Sequence, residues 1–228
     1  MDRGLYIAAS GMLAEQIRQD QIANDLANAS TPGYKGDRTA QRTFNDLLLS
    51  NSVSGEVVGP QSTAVQVDRI ETDFAPRPAR DTGEPLDFAI VGEGFFAVQT
   101  ANGTRYTRNG QFSLDPQGRL VTAQGDPVLD SGGRAITASD GKVDPRRLGV
   151  FTLTNPRKAG DSLLTGTAAG AGAGTVRSGA LESSGADAAR SMVDMIASMR
   201  AFEAGQKVIQ AIDDTLGQAS SKVGAVGS

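Results

Sequence analysis

Three acidic residues near the middle of the chain, Asp87, Glu93 and Asp115, are the best candidates for catalytic chemistry. A carboxylate-dependent hydrolase would need two acids that converge in a cleft, one to donate a proton and one to accept it. The chain has no histidine and no cysteine, so the commonest general base, the commonest metal ligand and the thiol nucleophile are missing. The three acids also lie in turn-like contexts. We therefore expect turn, capping or surface roles for them, and no catalytic residue, no metal and no cofactor.

Two further patterns look superficially like chemical sites. Asp213 and Asp214 are neighbours in a predicted helix, where adjacent side chains diverge by about 100°. They cannot grip one group jointly, so we expect a solvated face or an intersubunit salt bridge. Residues 170–174 are rich in glycine, but no predicted strand leads into them and no helix begins within them, as a phosphate-binding loop requires. We expect residues 165–175 to form a flexible linker.

The composition disfavours several classes of function. The chain has 228 residues, a formal net charge of -4, 5% aromatic residues and no tryptophan. A broad basic surface for nucleic acid is not expected at this charge, and a cleft that stacks bases or sugars would be hard to build. Arg105, Arg108 and Arg119 form a loose basic group, which we expect to be solvated. We expect no nucleic-acid partner and no small-molecule substrate.

The chain shows no pattern for membrane insertion. The N-terminus lacks an apolar core followed by a small-residue cleavage site, so we expect no cleaved signal peptide. No stretch approaches the roughly 18 apolar residues of a membrane span, so we expect none. On these rules alone the protein is predicted to be cytoplasmic.

Long helices are predicted at both ends of the chain. In residues 3–29 the apolar residues fall mainly on one broad face, and the sequence Ser-Thr-Pro-Gly at residues 30–33 ends the pattern. In residues 186–223 apolar residues recur every seven positions, which indicates supercoiling against another helix. The second helix would be about 57 Å long at 1.5 Å per residue. The first can cover only part of it, so the rest of its apolar stripe must contact other chains.

The segment between the helices is predicted to be an antiparallel β-rich domain. Short strand-like runs alternate with turn residues every 8 to 12 positions or so, and Asn102-Gly103 is a strong hairpin signal. Phe95 and Phe96 point to opposite faces of a strand, so we expect one ring in the core and the other at an interface. The predicted fold class is α+β, with terminal helices that pair as a coiled coil. The predicted domains are residues 1–59, 60–178 and 179–228.

Three blocks of sequence resemble the flagellar basal-body rod protein family. The first is ANDLANASTPGYK at residues 23–35, where Asn24 and Asn28 lie on one helix face. The second is PLDFAIVGEGFFAVQT at residues 85–100, followed by YTRNG at residues 106–110. The third is SGALES at residues 178–183, with MIAS and RAFE at residues 195–198 and 200–203. The blocks follow the order of the family and touch most of the chain. One departure is that residues 183–186 lack the amide that the family carries after Leu-Glu.

The resemblance implies a mechanical function. It implies a structural subunit of the basal-body rod, most like the proximal-rod members, with a distal rod subunit as the alternative. Implied partners are copies of this chain, other flagellar rod proteins and the flagellar type III export apparatus, and the implied location is the periplasmic rod, reached without a cleaved signal. A secreted β-domain binding module is a more distant alternative, which would need an exposed aromatic cluster.

The apolar patterns and the resemblance together assign an assembly interface to the two helices. Its predicted residues are Leu5, Met12, Leu13, Asn24, Leu26, Asn28, Met192, Met195, Met199, Phe202, Ile209, Ile212, Leu216 and Val223.

Overall fold

A computed structural model of the chain describes residues 3–50, 57–139, 141–160 and 162–224. It has an N-terminal helix, α1 (Arg3–Ala27), a C-terminal helix, α2 (Ala188–Gly224), and a β-rich region between them. The predicted α+β class with helices at both ends is therefore confirmed. α1 ends two residues before the predicted residue 29, and the chain then turns at Pro32 and Gly33. The φ of Gly33, 65°, is a left-handed conformation.

Contacts between residues divide the chain into two compact units. The helical unit comprises Met1–Leu26, Asp37–Glu71 and Ala188–Ser228, and the β unit comprises Ala27–Gly36 and Thr72–Asp187. Each unit is therefore built from segments that are far apart in sequence. The domain boundaries derived from the sequence remain a prediction.

The helical unit contains both terminal helices, which run antiparallel where they touch. Ser198 of α2 contacts Glu15. A Cβ atom on Gly205 would lie 2.7 Å from Cγ of Met12, and one on Gly4 would lie 3.3 Å from Cδ1 of Ile212. Residue numbers rise along one helix as they fall along the other, which defines the antiparallel direction.

A two-stranded sheet completes the helical unit. It consists of β1 (Asp37–Ser50) and β2 (Val57–Thr72). These polar segments lack a sustained alternation of apolar and polar residues, so their sequence does not predict strands of this length.

The β unit contains ten strands in its described residues. They are β3 (Ala79–Asp81), β4 (Phe88–Val91), β5 (Phe95–Thr100), β6 (Gly103–Thr107), β7 (Ser113–Leu114), β8 (Leu120–Val121), β9 (Val150–Gly160), β10 (Leu163–Ala171), β11 (Thr175–Ser178) and β12 (Ala180–Glu182). A short 3-10 helix, Pro145–Arg147, precedes β9. Four strands close a barrel in the order β10-β6-β5-β9, and the remaining strands pair as β11-β4, β12-β3 and β7-β8. All these pairings are antiparallel.

The predicted hairpin at Asn102-Gly103 is confirmed. Thr100 of β5 is the register partner of Gly103 of β6, so the turn between the two strands has two residues. Gly103 has a φ of 96°, a conformation that glycine adopts without steric cost.

The predicted flexible linker at residues 165–175 is wrong. β10 occupies most of it and pairs with β9 along its length, with register shifts that mark β-bulges. Small residues gave no apolar alternation from which a strand could be predicted. Their place in the sheet is fixed by the partner strand.

Two apolar clusters pack on opposite faces of β5. Phe96 and Val98 belong to one cluster, while Phe95 and Ala97 belong to the other, because successive side chains of a strand point to opposite faces. Phe95 and Phe96 are both buried, at 7% and 0% exposure. The expectation that one ring covers an interface is therefore wrong, since each face of β5 has its own core.

Candidate functional site

Three buried charged side chains form a cluster in the β unit. Glu182, at the end of β12, accepts hydrogen bonds from Lys35 Nζ at 2.7 Å and from Arg108 Nη1 at 2.8 Å, one on each carboxylate oxygen. The three side chains are each 1–2% exposed. Lys35 follows the turn after α1, and Arg108 follows β6. The cluster therefore joins three segments that lie far apart in the sequence.

Backbone groups complete the coordination of this cluster. Glu182 Oε1 also accepts from the backbone N–H of Arg77 at 3.1 Å, and Lys35 Nζ donates to the carbonyl of Ala75 at 2.7 Å. The connector between β2 and β3 is thereby held to the same carboxylate. Buried charges are tolerated where such hydrogen bonds surround them.

Arg108 is held on three sides. Its Nη2 donates to the carbonyl of Gly92 at 2.7 Å, and its Nη1 lies 3.3 Å from the carbonyl of Ile90. Its guanidinium carbon lies 5.2 Å from the centre of the Phe95 ring, a cation–π contact. The expectation that Arg108 is solvated is therefore wrong, because the carboxylate that pairs with it is supplied from 74 positions further along the chain.

The cluster holds two cations and one carboxylate. Burial is the main reason that the pKa of Lys35 is lowered, and Glu182 opposes this by favouring the charged form. The positive charges of Arg108 and Arg77 lower the pKa further. Among the residues that the structure describes, Glu182 is the only carboxylate paired with these two buried cations. Its loss is therefore expected to cost more stability than the loss of either cation.

Gly33 lets the turn after α1 approach the cluster. A Cβ atom at this position would lie 2.3 Å from the carbonyl carbon of Arg108, and the φ of Gly33 is +65°. Its N–H donates to the carbonyl of Glu182 at 3.0 Å. Both the close approach and the left-handed conformation require glycine here.

The segment that follows α1 is bonded directly to the segment that precedes α2. Ser184 Oγ donates to the carbonyl of Asn28 at 2.8 Å, and the N–H of Gly185 donates to the carbonyl of Tyr34 at 2.8 Å. A Cβ atom on Gly185 would lie 2.8 Å from that same carbonyl oxygen. Residues 183–186 lack the amide side chain that the family carries after Leu-Glu, and here a hydroxyl and a backbone N–H bond the two segments.

Lys35, Arg108 and Glu182 were not predicted from the sequence to form a site. Each lies inside one of the three blocks that carried the family resemblance, and that was the available signal. Nothing in the separate blocks indicated that the three charges meet, because the pairing depends on contacts across as many as 147 positions.

The predicted interface residues of α1 differ in exposure. Leu5 and Leu13 are 41% and 59% exposed, Asn24 is exposed, and Met12 and Leu26 are half-buried. The most buried residues of α1 are Ala14 and Ile22. The face of α1 that is covered within the subunit is therefore centred away from Leu5 and Leu13.

The two asparagines that share one face of α1, Asn24 and Asn28, differ in exposure. Asn28 is half-buried, and its Oδ1 accepts a hydrogen bond from Thr31 Oγ1 at 3.2 Å. Its amide side chain thus contacts the side chain of a residue in the turn after α1.

The predicted interface residues of α2 fall into two groups. Met195, Phe202, Ile209 and Ile212 are half-buried. Met192, Met199 and Leu216 are 54%, 51% and 46% exposed. Val223 lies in α2, but its side chain is outside the described residues.

The three candidate catalytic acids occupy three separate local settings. Asp87 is buried just before β4, and Glu93 is exposed in the turn between β4 and β5. Asp115 accepts hydrogen bonds from the backbone N–H groups of Gln117 and Arg119 and pairs with Nε of Arg119 at 2.7 Å. Partial burial would raise the pKa of Asp115, but the hydrogen bonds and charge of Arg119 outweigh it and lower the pKa. Asp115 therefore acts as a turn-stabilising carboxylate.

The helices in the described part of the chain all lack the combination of length and hydropathy that a bilayer crossing needs.

Three family models match successive parts of the chain. They are the flagella basal body rod protein at residues 5–35, the flagellar hook protein FlgE/F/G D1 domain at residues 89–155, and the flagellar basal body rod FlgEFG protein C-terminal at residues 177–222. Lys35, Arg108 and Glu182 fall one in each model, so the buried cluster joins the three matched regions.

Similar curated proteins span nearly the whole chain. The flagellar basal-body rod protein FlgG of Bacillus subtilis is 33% identical over 95% of this chain and 97% of its own length. The flagellar hook-basal body complex protein FlhO of the same organism is 29% identical over 99% and 100%, and FlgF of Escherichia coli is 32% identical over 96% and 98%. The chain therefore belongs to the flagellar basal-body rod family of structural proteins.

Proposed function

We propose that this chain is a subunit of the proximal part of the flagellar rod, which polymerises through its terminal helices and transmits torque across the periplasm. The observation that carries this proposal is an exposed apolar surface on α2. Met192, Val193, Ile196 and Met199 are each 51–66% exposed, and they lie within two turns of the helix. A contiguous exposed apolar patch of this kind marks an interaction site.

α1 offers a second uncovered surface of similar chemistry. Leu5, Tyr6 and Leu13 are 41%, 64% and 59% exposed. Two different apolar patches on one subunit favour head-to-tail contacts, which build open helical filaments when the rotation does not close. We therefore assign copies of this chain and other rod proteins as partners of these helices. Export by the flagellar type III apparatus, without a cleaved signal, is part of the same proposal.

The proximal position rests on short motifs. The sequences YTRNG at residues 106–110 and MIAS at residues 195–198 are most like proximal-rod members of the family. A distal rod subunit is the alternative, since the similar proteins include both FlgG and FlgF at 33% and 32% identity.

A binding module built on the β unit has less support. Phe88, Phe95, Phe96, Phe112 and Tyr106 are all at most 8% exposed. These rings pack in the two cores of the β unit, so they are not available as a platform for a ligand.

The assembly proposal is tested by a charge on the outer face of α2. Met199→Glu is expected to leave export intact and to abolish motility, because a carboxylate would have to be buried without a partner. Ala201→Glu, at a nearby exposed position, is the matched control and is expected to keep most of the motility. Equal motility of the two variants would contradict the assignment of this face.

The proximal position is tested by complementation. The gene is expected to restore motility to cells that lack the proximal rod subunit and to fail in cells that lack the distal one. The reverse result would make the chain a distal subunit.

A further inference from the structure

α2 carries two apolar faces, and only one of them packs on α1. Met195, Phe202 and Ile209 lie on the half-buried side, whereas Met192 and Met199 lie on the exposed side. A rotation of α2 about its own axis by about 100° to 200°, which is one to two residue positions, would exchange the two faces. The free energy of burying apolar surface would differ little between these two arrangements, because both faces carry similar apolar side chains.

A polar contact distinguishes the two arrangements. Ser198 is 1% exposed, and it is the buried polar residue among the described residues of the helical unit. Its Oγ donates a hydrogen bond to Glu15 Oε2 at 2.6 Å and lies 3.3 Å from the carbonyl of Glu15. The Glu15 side chain is 17% exposed, and Arg18 Nη1 is 3.9 Å from its other oxygen. Rotation of α2 would remove Ser198 from Glu15 and place no equivalent hydroxyl there, since the exposed face carries Met192, Ile196 and Met199.

Small residues lie near this contact between the helices. Ala14, beside Glu15, is 3% exposed, and Gly205, two turns along α2 from Ser198, faces Met12. Buried polar pairs at such positions are known to specify the register of paired helices at some cost in stability.

We propose that the hydrogen bond between Ser198 and Glu15 selects which face of α2 packs on α1, and so keeps the face of Met192, Val193, Ile196 and Met199 outward for a neighbouring subunit. The choice of packing face takes place within one subunit, whereas the role of the outward face rests on the proposed function.

The absence of cysteine from the natural chain allows a direct test by disulfide formation. Met12→Cys with Gly205→Cys reports the observed arrangement, because a Cβ atom at residue 205 would already lie within contact of Met12. Met12→Cys with Glu203→Cys reports the rotated one, because residue 203 is exposed in the observed arrangement. The yields of the two disulfides are compared on the dilute full-length monomer, by mobility on non-reducing gels and by mass spectrometry.

The selecting pair is then altered in each reporter. In the parent the 12–205 disulfide is expected to exceed the 12–203 disulfide by about tenfold, which is what one good hydrogen bond supplies. Glu15→Gln keeps an acceptor oxygen and is expected to preserve this ratio. Glu15→Leu removes the acceptor and is expected to bring the ratio down several-fold, towards equal yields.

Two further results decide the remaining cases. Ser198→Ala removes the donor while adding no volume, so it replaces Glu15→Leu if that variant loses its helical circular dichroism, and the same fall in ratio is expected. An unchanged ratio in Ser198→Ala or in folded Glu15→Leu would overturn the proposal. A rod that assembles normally despite a lowered ratio would count against the role of the outward face in the proposed function, and would leave the selection within the subunit standing.

Discussion

Glu182→Gln should destabilise the β unit more than any other single change in its buried ion cluster. The carboxylate of Glu182 is the only negative charge bonded to Lys35 and Arg108 in the cluster as described. Replacing it with an amide leaves two buried cations without a counter-charge. Because these side chains are 1–2% exposed, solvent screening is weak, and removal of one partner of such a pair costs about 3–5 kcal/mol of unfolding free energy.

Substitution of the other members of the cluster should lower the unfolding free energy by less. Lys35→Met leaves the pair between Glu182 and Arg108 intact and removes a group whose pKa is lowered mainly by burial. Its loss forfeits the hydrogen bond to Ala75, so we expect about 1–2 kcal/mol. Combining both changes should be no worse than Glu182→Gln alone, because removal of the Lys35 charge relieves the repulsion between the two cations.

Urea unfolding of the full chain measures these differences. The chain has no tryptophan, so intrinsic tyrosine fluorescence reports the transition, and two of its three tyrosines, Tyr34 and Tyr106, are buried in the β unit. Glu93→Gln, at an exposed acid, is the matched control and should change the unfolding free energy by less than about 0.5 kcal/mol. An unfolding free energy of Glu182→Gln equal to that of this control would refute the role assigned to Glu182, as would a larger loss of stability in Lys35→Met.

Three further predictions concern other parts of the chain. Phe202→Asp should be exported but should fail to build a rod, because a charge would enter a half-buried helix face. Ala201→Asp, at an exposed position, should support motility. Equal motility of the two variants in swimming assays would contradict this prediction. The pKa of Asp115 lies below its usual value of 3.8, so its contribution to stability is present above that pH and is lost as the pH falls through the lowered pKa; Asp115→Asn should flatten the acid limb of stability against pH, and an unchanged limb would disagree. Gly33→Ala should destabilise the β unit by more than Gly118→Ala, since both positions have positive φ but a Cβ atom meets backbone atoms only at the first; equal urea midpoints would show that the turn shifts freely.

Local patterns in the sequence predicted the two terminal helices well. The heptad repeat gave α2 to within about two residues of its observed bounds, and the Pro32-Gly33 pair located the end of α1. These signals are local, since a periodic apolar face and a turn residue act through neighbours a few positions away.

The parts that could not be predicted depend on distant partners. β10 forms a strand because β9 pairs with it, although its run of alanine and glycine has little strand propensity. Arg108 is buried because it pairs with Glu182, which lies 74 positions further along the chain. Ser198 lies on the face of α2 that meets α1, and the apolar repeat of α2 did not show that a polar residue would be buried there.

The presence of this chain within purified basal bodies tests the central claim most directly. Basal bodies are isolated from cells that express the parent chain or Met199→Glu, and rod subunits are identified by mass spectrometry and electron microscopy. We expect the parent chain inside complete rods, and we expect rods that stop short in the Met199→Glu cells. Complete rods that lack the chain, in cells that still swim, would contradict the assignment.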